Sequence, residues 1–231
     1  MIKDIVVNLG LGERDPAGEY AIAVADAFGA HVLGMAIIYD PVIPGTVMGG
    51  IPPAYIETQR VEAEKMVKAA IARFETTAKR VGVSFESRSV NASVAGAAER
   101  LGRLGRRFDL VVVGQPDRDK SAPVEVVDEG VLFESGRPVI FVPYIQRGGL
   151  KLDRVMVCWD GSRAAARAVA ERLPILQKAK QVEIVIVASK SGKQDEVPGA
   201  DLGQHLARHG LKVDVKRITS PDIDVPATIL S

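Results

Sequence analysis

The sequence predicts an α/β protein made of two tandem, doubly wound parallel sheets, the second of them incomplete. Three observations predict this class. Short apolar segments alternate with Ala-rich helical segments along the whole chain. Residues 110–113 and 184–187 are apolar at every position, which is typical of strands buried on both faces of a parallel sheet. The strand pattern also recurs at a fixed offset, which indicates an internal repeat.

Composition limits the classes of function. The 231 residues are 47% hydrophobic and 26% charged, which is ordinary for a globular protein of one or two domains. The formal net charge of +1 does not favour a protein that coats nucleic acid or anionic lipid. Residues 1–7 do not resemble a signal peptide, and no apolar stretch approaches the roughly 20 residues of a membrane span. We therefore expect a cytoplasmic protein that contacts neither membrane nor nucleic acid.

The first two strands and the helix between them occur twice. Residues 3–7 and 153–157 each pair charged residues with an apolar run and lie 150 positions apart. The second strands, 32–37 and 182–187, keep that offset. An Ala-rich segment stands between the strands in each half, and it predicts helices at 19–28 and 163–173.

The third strand breaks the offset. We predict it at 81–85 in the first half and at 209–213 in the second, where Gly82 and Gly210 are only 128 positions apart. The second half is thus shorter by about 22 residues, a difference taken from the two repeat offsets. The extra residues of the first half fall in a Pro- and Gly-rich loop, 40–53, before a long helix predicted at 54–80.

The rest of the first half continues the pattern and sets the domain boundaries. A helix at 94–107 and strands at 108–114 and 138–143 are predicted, with a charged loop at 115–129. A linker at 146–149 separates a domain at 1–145 from one at 152–231. The matching helix of the second domain begins near Val225, so its last two strands are missing. We expect the natural product to be longer by roughly 40 residues, or a partner to cover the open sheet.

Ligands of open parallel sheets bind beyond the carboxyl ends of the strands, where Asp160 lies. It follows Cys158 and Trp159 and precedes a helix. A carboxylate there can accept hydrogen bonds from an adenine amino group or a ribose hydroxyl. The alternative is a helix cap formed by Asp160 or Ser162. Both remain open, and the equivalent residue of the first half is Gly10, which has no carboxylate.

Other candidate motifs favour structural roles. Gly10-Leu11-Gly12 fails the dinucleotide fingerprint, and 191–194 lacks the flanking residues of a P-loop. His205 and His209 could share a helix face, but the intervening Glu of a zinc protease is absent and a surface role is expected. Cys158 is expected to pack in a buried strand. Four arginines favour a solvated face, with an anion-binding patch as the alternative: Arg100, Arg103, Arg106 and Arg107.

The residues resemble the universal stress protein family across essentially the whole chain. Residues 155–162, the following Ala-rich helix and 182–187 are similar to the start of such a domain. Residues 109–114 and 136–143 are similar to its fourth and fifth strands. The resemblance implies an adenine nucleotide alpha hydrolase-like fold with strand order 3-2-1-4-5, a homodimer and, in some members, bound ATP.

The resemblance also implies site residues. Asp160 corresponds to the adenine contact of the ATP-binding members, with Cys158 and Trp159 just before it. Val187 corresponds to a backbone contact with the base. These members hold the phosphates on a Gly-x2-Gly-x9-Gly-Ser/Thr loop after the fourth strand, whose amides approach phosphate oxygens closely.

The departures from the family bear on function. After Gly114 no Gly occurs until Gly130, and carboxylates at 117, 119, 128 and 129 would repel phosphate. Together with Gly10, this predicts that the first half does not bind ATP in the family manner. The second half keeps the adenine end of the site, while the phosphate-binding motif is not present in this chain.

Two hypotheses follow. The first is a stress-response sensor or switch whose second domain binds ATP, with slow hydrolysis at most. The second is a non-nucleotide interaction scaffold, for which the apolar loop 42–55 would cover a partner or close a dimer, unless it folds back on its own helix. An enzyme of the related hydrolase and ligase group is not expected, because the sequence offers no nucleophile, base partner or metal cluster.

Overall fold

The computed structural model describes residues 1–40, 52–115, 124–189, 199–220 and 224–230. The chain divides into two compact units, Met1–Leu150 and Lys151–Ser231. Among the described residues, none of the helices combines the length and apolar character that a membrane span requires.

The first unit is a five-stranded parallel sheet with helices on both faces. Its strands are β1 (Asp4–Asn8), β2 (His31–Tyr39), β3 (Phe85–Ala92), β4 (Leu110–Gly114) and β5 (Val139–Val142), and its helices are α1 (Pro16–Phe28), α2 (Pro53–Val81), α3 (Val94–Gly105) and α4 (Val124–Glu134). The strands stand in the order β3-β2-β1-β4-β5, which confirms the predicted order. All four neighbouring pairs are parallel.

The core of this unit follows the alternation of side chains along each strand. Leu33 and Ile37 of β2 point toward the same cluster as the buried residues of α3 and α4. Gly34, between them, faces Phe74 of α2 on the other side of the sheet. The apolar run of β2 is therefore used on both faces, as a doubly wound sheet requires.

The second unit repeats the first part of this arrangement. Its described strands are β6 (Val155–Cys158), β7 (Val182–Ser189) and β8 (Val213–Ser220), and its helices are α5 (Arg163–Leu176), α6 (Ala200–Arg208) and α7 (Val225–Leu230). The strands form a parallel sheet in the order β6-β7-β8. Val157, Ile184 and Leu206 are among the buried residues of its core.

Hydrogen bonds at equivalent positions within each unit match the repeat offsets found in the sequence. The Leu9 amide donates to the Met35 carbonyl over 2.8 Å, and 150 positions later the Trp159 amide donates to the Val185 carbonyl over 2.9 Å. The offset of 128 holds for the third strand, because the acceptors for the Val32 and Val182 amides are Ser84 and Lys212.

The predicted position of the third strand is wrong in both units. Val81 is the last residue of α2, and Gly82 ends that helix with φ +86°. Gly210 has φ +81° just after α6, and the strands begin only at Phe85 and Val213. A glycine in the left-handed region ends a helix and does not continue a strand, so the two glycines are equivalent turns.

The predicted loop 115–129 is also partly wrong, because α4 begins at Val124. Asp128, which we expected to repel phosphate from that loop, is on the buried side of α4 and only 2% exposed. Residues 116–123 lie outside the described residues. Smaller differences concern helix ends: α1 begins at Pro16, and α5 continues past Pro174 to Leu176.

Helices α3 and α4 cross at unusually short range. A Cβ atom on Gly130 would lie 2.6 Å from the Cβ of Ala98, and one on Gly102 would lie 2.6 Å from the Cβ of Glu134. Atoms this close to the backbone cannot move without moving a helix. The glycines therefore set the distance between the two helices on this face of the sheet.

We predict that Gly130→Ala destabilises the protein by about 1–3 kcal/mol, because the added methyl group overpacks the crossing. In an isolated helix the same change would stabilise by up to about 1 kcal/mol, so the expected sign is opposite to helix propensity. Urea unfolding measures the difference. The double variant Ala98→Gly/Gly130→Ala should recover most of the loss, since it restores the space. A Gly130→Ala variant as stable as the wild type would contradict the close approach of α3 and α4.

Candidate ligand site

The second unit brings the four predicted site residues to the carboxyl ends of two adjacent strands. Cys158 ends β6 and pairs with Val185 of β7, and Trp159 bonds to the Val185 carbonyl. Val187 lies two residues further along β7, paired with Ile218 of β8. Adjacent strands are about 4.8 Å apart, so these residues and Asp160 border one small region of the sheet edge.

The Asp160 carboxylate is exposed and ionised. Its Oδ1 accepts a hydrogen bond from the Ser162 amide over 2.8 Å. Bonds from the Ser162 amide and hydroxyl hold the pKa of Asp160 below the ordinary 3.8. The N-cap of α5 is Ser162, whose hydroxyl accepts from the Ala165 amide. Of the two capping residues that the sequence left open, Ser162 caps the helix and Asp160 stands before it.

The three other residues differ in exposure. Cys158 is exposed, so the predicted packing role is wrong, and partial burial raises the pKa of its thiol, which stays protonated near neutral pH. Trp159 is half-buried and packs against the core of the second unit. Val187 is half-buried, and because β7 continues to Ser189 it does not end the strand as predicted.

The first unit uses the equivalent edge differently. Gly10 stands where the second unit has Asp160, and the loop that follows is three residues longer, because α1 is capped by Asp15 and α5 by Ser162. The longer loop returns a carboxylate to the same place. Asp15 Oδ1 accepts from the Gly18 amide over 3.0 Å and lies 3.2 Å from the position of a Cβ on Gly10.

Arg73 of α2 forms hydrogen bonds with the backbone of this loop. Its guanidinium donates to the Gly10 carbonyl over 3.3 Å and to the Gly12 carbonyl over 2.7 Å. Asp15 and Arg73 also border a cavity of about 380 Å³ between α1 and α2. The Gly-Leu-Gly segment is therefore part of an irregular loop, and two side chains from outside the segment bond to it.

The sequence did not identify Asp15 or Arg73 as site residues. Burial raises the pKa of Asp15 above its ordinary 3.8, against the opposing effects of the Gly18 and Gly10 amides and of Arg73. A signal was available: Asp15 precedes Pro16 and lies three residues before Gly18, which is typical of a helix N-cap. The contact with Arg73 joins residues 61 to 63 positions apart and has no local signal.

The remaining candidates occupy surface positions or lie outside the described residues. His205 is on α6 and His209 follows its end, with their rings in edge contact at 4.8 Å. Within the described ranges, no cluster of His, Cys, Asp and Glu is arranged to hold a metal ion. Arg103 pairs with Glu99 and Arg106 with Glu134. Residues 191–194 and most of the apolar loop, 42–51, are not described.

The fold is that of universal stress proteins. A universal stress protein from Archaeoglobus fulgidus DSM 4304 aligns with 94% of this chain and 77% of its own, at 18% identity and a TM-score of 0.64. UspA from Lactobacillus plantarum covers 61% of this chain and 97% of its own, at 14% identity and a TM-score of 0.48. A universal stress protein from Archaeoglobus fulgidus in complex with dAMP covers 62% and 99%, at 18% identity and a TM-score of 0.40. No model of a protein family and no curated protein matches the chain.

The agreement over 94% of the chain confirms the expected resemblance at the level of the fold. The chain has a UspA-like α/β fold with a complete five-stranded sheet and a second, smaller parallel sheet.

We predict that Asp15→Asn changes the pH dependence of stability. A carboxyl group with a raised folded pKa favours the folded state below its unfolded pKa of about 3.8, and this contribution is lost as pH rises through the folded value. Asparagine keeps the cap but does not ionise. The stability of the variant relative to the wild type should therefore increase from pH 3 upward and level off above the folded pKa. Urea unfolding across a pH series measures it, and a constant or falling difference would contradict the burial of this charge.

Proposed function

We propose that this chain is a stress-response protein that binds an adenine nucleotide, with the base of ATP held by the second unit. The exposed, ionised Asp160 at the carboxyl edge carries the proposal. The bond from the Ser162 amide goes to Oδ1, and the carboxylate keeps lone pairs that can accept from the amino group of adenine. The universal stress protein fold supports it, because ligands of open parallel sheets bind at this edge.

The other site residues fit the adenine half of a nucleotide. The Val187 backbone, on the neighbouring strand, would contact the base edge, with Trp159 and Cys158 flanking the entrance. The first unit would not contribute an equivalent site, since Gly10 has no side chain and the Asp15 carboxylate is held by the Gly18 amide. We place ATP in the second unit only.

Binding without rapid turnover follows from the chemistry of these groups. The Cys158 thiol is protonated near neutral pH and is a weak nucleophile. Asp160 is bonded to its own loop and would be a base of low strength. We therefore propose a nucleotide-dependent sensor or switch with slow hydrolysis at most, acting in the cytoplasm as the homodimer that the resemblance implies.

Asp160→Asn tests the proposal more sharply than Asp160→Ala. Asparagine can still accept the bond from the Ser162 amide, but it replaces the ionised acceptor with a neutral amide. We predict that it lowers ATP affinity by about tenfold or more, since a hydrogen bond to a charged group contributes about 1.5–3 kcal/mol. Trp159, the only tryptophan, adjoins Asp160 and reports binding by its fluorescence.

The matched control is Asp201→Asn, which removes an exposed carboxylate from α6 and should leave affinity unchanged. Equal affinity of Asp160→Asn and the wild type would sink the assignment of Asp160. Acid denaturation of the purified wild type, followed by chromatography of the supernatant, shows whether a nucleotide is already bound. A stoichiometric adenine nucleotide would support the site directly.

A second candidate function is an interaction scaffold, favoured by exposed apolar side chains on α2. Tyr55 is 57% exposed and Met66 is 45% exposed. They are 11 residues apart, about three helical turns, and so lie on one face of the helix. An exposed apolar face of this kind is typical of a contact with a partner or a second copy.

We predict that Tyr55→Ser/Met66→Ser shifts the oligomer distribution toward smaller species if α2 forms an interface. Size-exclusion chromatography with light scattering measures the mass. Val81→Ser is the control, because Val81 is 41% exposed at the opposite end of the same helix. An unchanged mass for the double variant would count against an interface on this part of α2.

A further inference from the structure

A groove lined by apolar and basic side chains lies beside α3 on the first unit. It has a volume of about 270 Å³ and is separate from the carboxyl-edge site of the second unit. Its floor combines residues of β2, β3 and α3, namely Met35, Ile37, Val90, Ala97, Leu101 and Leu104. Ile37, Ala97 and Leu101 are buried, and the others are half-buried. We call this cavity the α3 groove.

One wall of the α3 groove is basic. Arg100 and Arg103 of α3 line it, together with Arg107, which lies two residues beyond the end of the helix. Arg103 is paired with Glu99 over 2.7 Å. Arg100 and Arg107 have no side-chain partner among the described residues, so their guanidinium groups are available to an external anion.

The strand side of the α3 groove is nearly neutral. Arg88 stands in register with Met35 on the neighbouring strand, and its guanidinium is 2.8 Å from Glu86. The positive charge of Arg88 and the negative charge of Glu86 therefore cancel. The excess positive charge at the groove therefore comes from Arg100 on α3 and from Arg107 just after the helix.

We propose that the α3 groove binds a medium-chain fatty carboxylate, with its chain on the apolar floor and its carboxylate on Arg100 and Arg107. Guanidinium groups bind carboxylates with two parallel, charge-assisted hydrogen bonds and remain charged at all physiological pH values. A 150 Å³ apolar cavity accommodates the six carbons of benzene, so by proportion 270 Å³ corresponds to about eleven carbons and has room for a chain of about eight to ten. The combination of an apolar floor and a few polar groups at one side is that of small-molecule sites.

The proposal does not rest on nucleotide binding, because it uses different residues in the other unit. The volume favours a small amphiphile over a helical peptide, whose diameter with side chains is about 10–12 Å. An acidic amphipathic peptide has the same combination of charge and apolar surface, so the experiment must distinguish it from a fatty carboxylate.

The test titrates octanoate into the ¹⁵N-labelled full chain and follows amide shifts by NMR, with calorimetry for affinity. We expect saturable binding and shifts concentrated in β2, β3 and α3. Arg100→Gln/Arg107→Gln should weaken octanoate binding by about tenfold or more, since two charge-assisted contacts are lost. Octanol, which has the same chain and no charge, should bind the wild type more weakly by a similar factor.

Two further variants complete the design. Lys65→Gln/Lys68→Gln removes the same charge from an exposed part of α2 and should leave octanoate affinity within about twofold of the wild type. Val90→Trp fills the floor from the edge strand β3 and should abolish binding. Circular dichroism confirms that each variant is folded.

Several results would overturn the proposal. They are the absence of saturable binding to the wild type, shifts outside the groove, equal loss in the arginine and lysine variants, or full binding by Val90→Trp. Groove-localised binding of an acidic amphipathic peptide without octanoate binding would also overturn it, because it would assign the groove to a different occupant.

Discussion

The structure depends on the register between the first two strands of each unit. The amide of the residue after the first strand donates to a carbonyl of the second, Leu9 to Met35 in one unit and Trp159 to Val185 in the other. This bond fixes where the first strand ends and which residue next leaves the sheet. In parallel sheets that point is the edge where ligands bind, so the equivalent hydrogen bond places Gly10 in the first unit and Asp160 in the second.

From this common point the two units use a carboxylate in different ways. The three additional loop residues of the first unit let Asp15 return to the edge, where the Gly18 amide bonds to it and Arg73 bonds to the Gly10 and Gly12 carbonyls of the same loop. The short loop of the second unit leaves Asp160 in solvent with a lowered pKa. Burial raises the pKa of Asp15 and local hydrogen bonds lower that of Asp160, although each follows the first strand of its own unit.

Much of the fold could be predicted from the sequence, because parallel strands buried on both faces need continuous apolar runs that stand out in composition. The repeat offsets of 150 and 128 correspond to actual hydrogen bonds. The errors have local causes. Gly82 and Gly210 were assigned to strands but adopt the left-handed conformation that ends a helix. Asp128 suggested a loop because of its charge, yet it lies on the buried side of α4.

The candidate site was less accessible to sequence reasoning. Asp160 could be placed at the carboxyl edge because it follows a predicted strand, whereas Val187 was named only through the resemblance to universal stress proteins. The exposure of Cys158 depends on which elements cover β6, and sequence alone does not give that. Likewise, Arg73 reaches the Gly12 carbonyl only because α2 packs beside this loop, and sequence alone does not predict that contact.

The α3 groove is a second case in which sequence reasoning found the charged residues but not the tertiary contacts beside them. The arginines of α3 were visible as a helical stripe, and solvation was the favoured interpretation because most charged stripes face water. What changes the interpretation is the floor beneath them, formed by β2 and β3 from distant parts of the chain. A charged stripe becomes a candidate site when tertiary structure sets an apolar surface beside it, because the two together match an amphiphile and neither does alone.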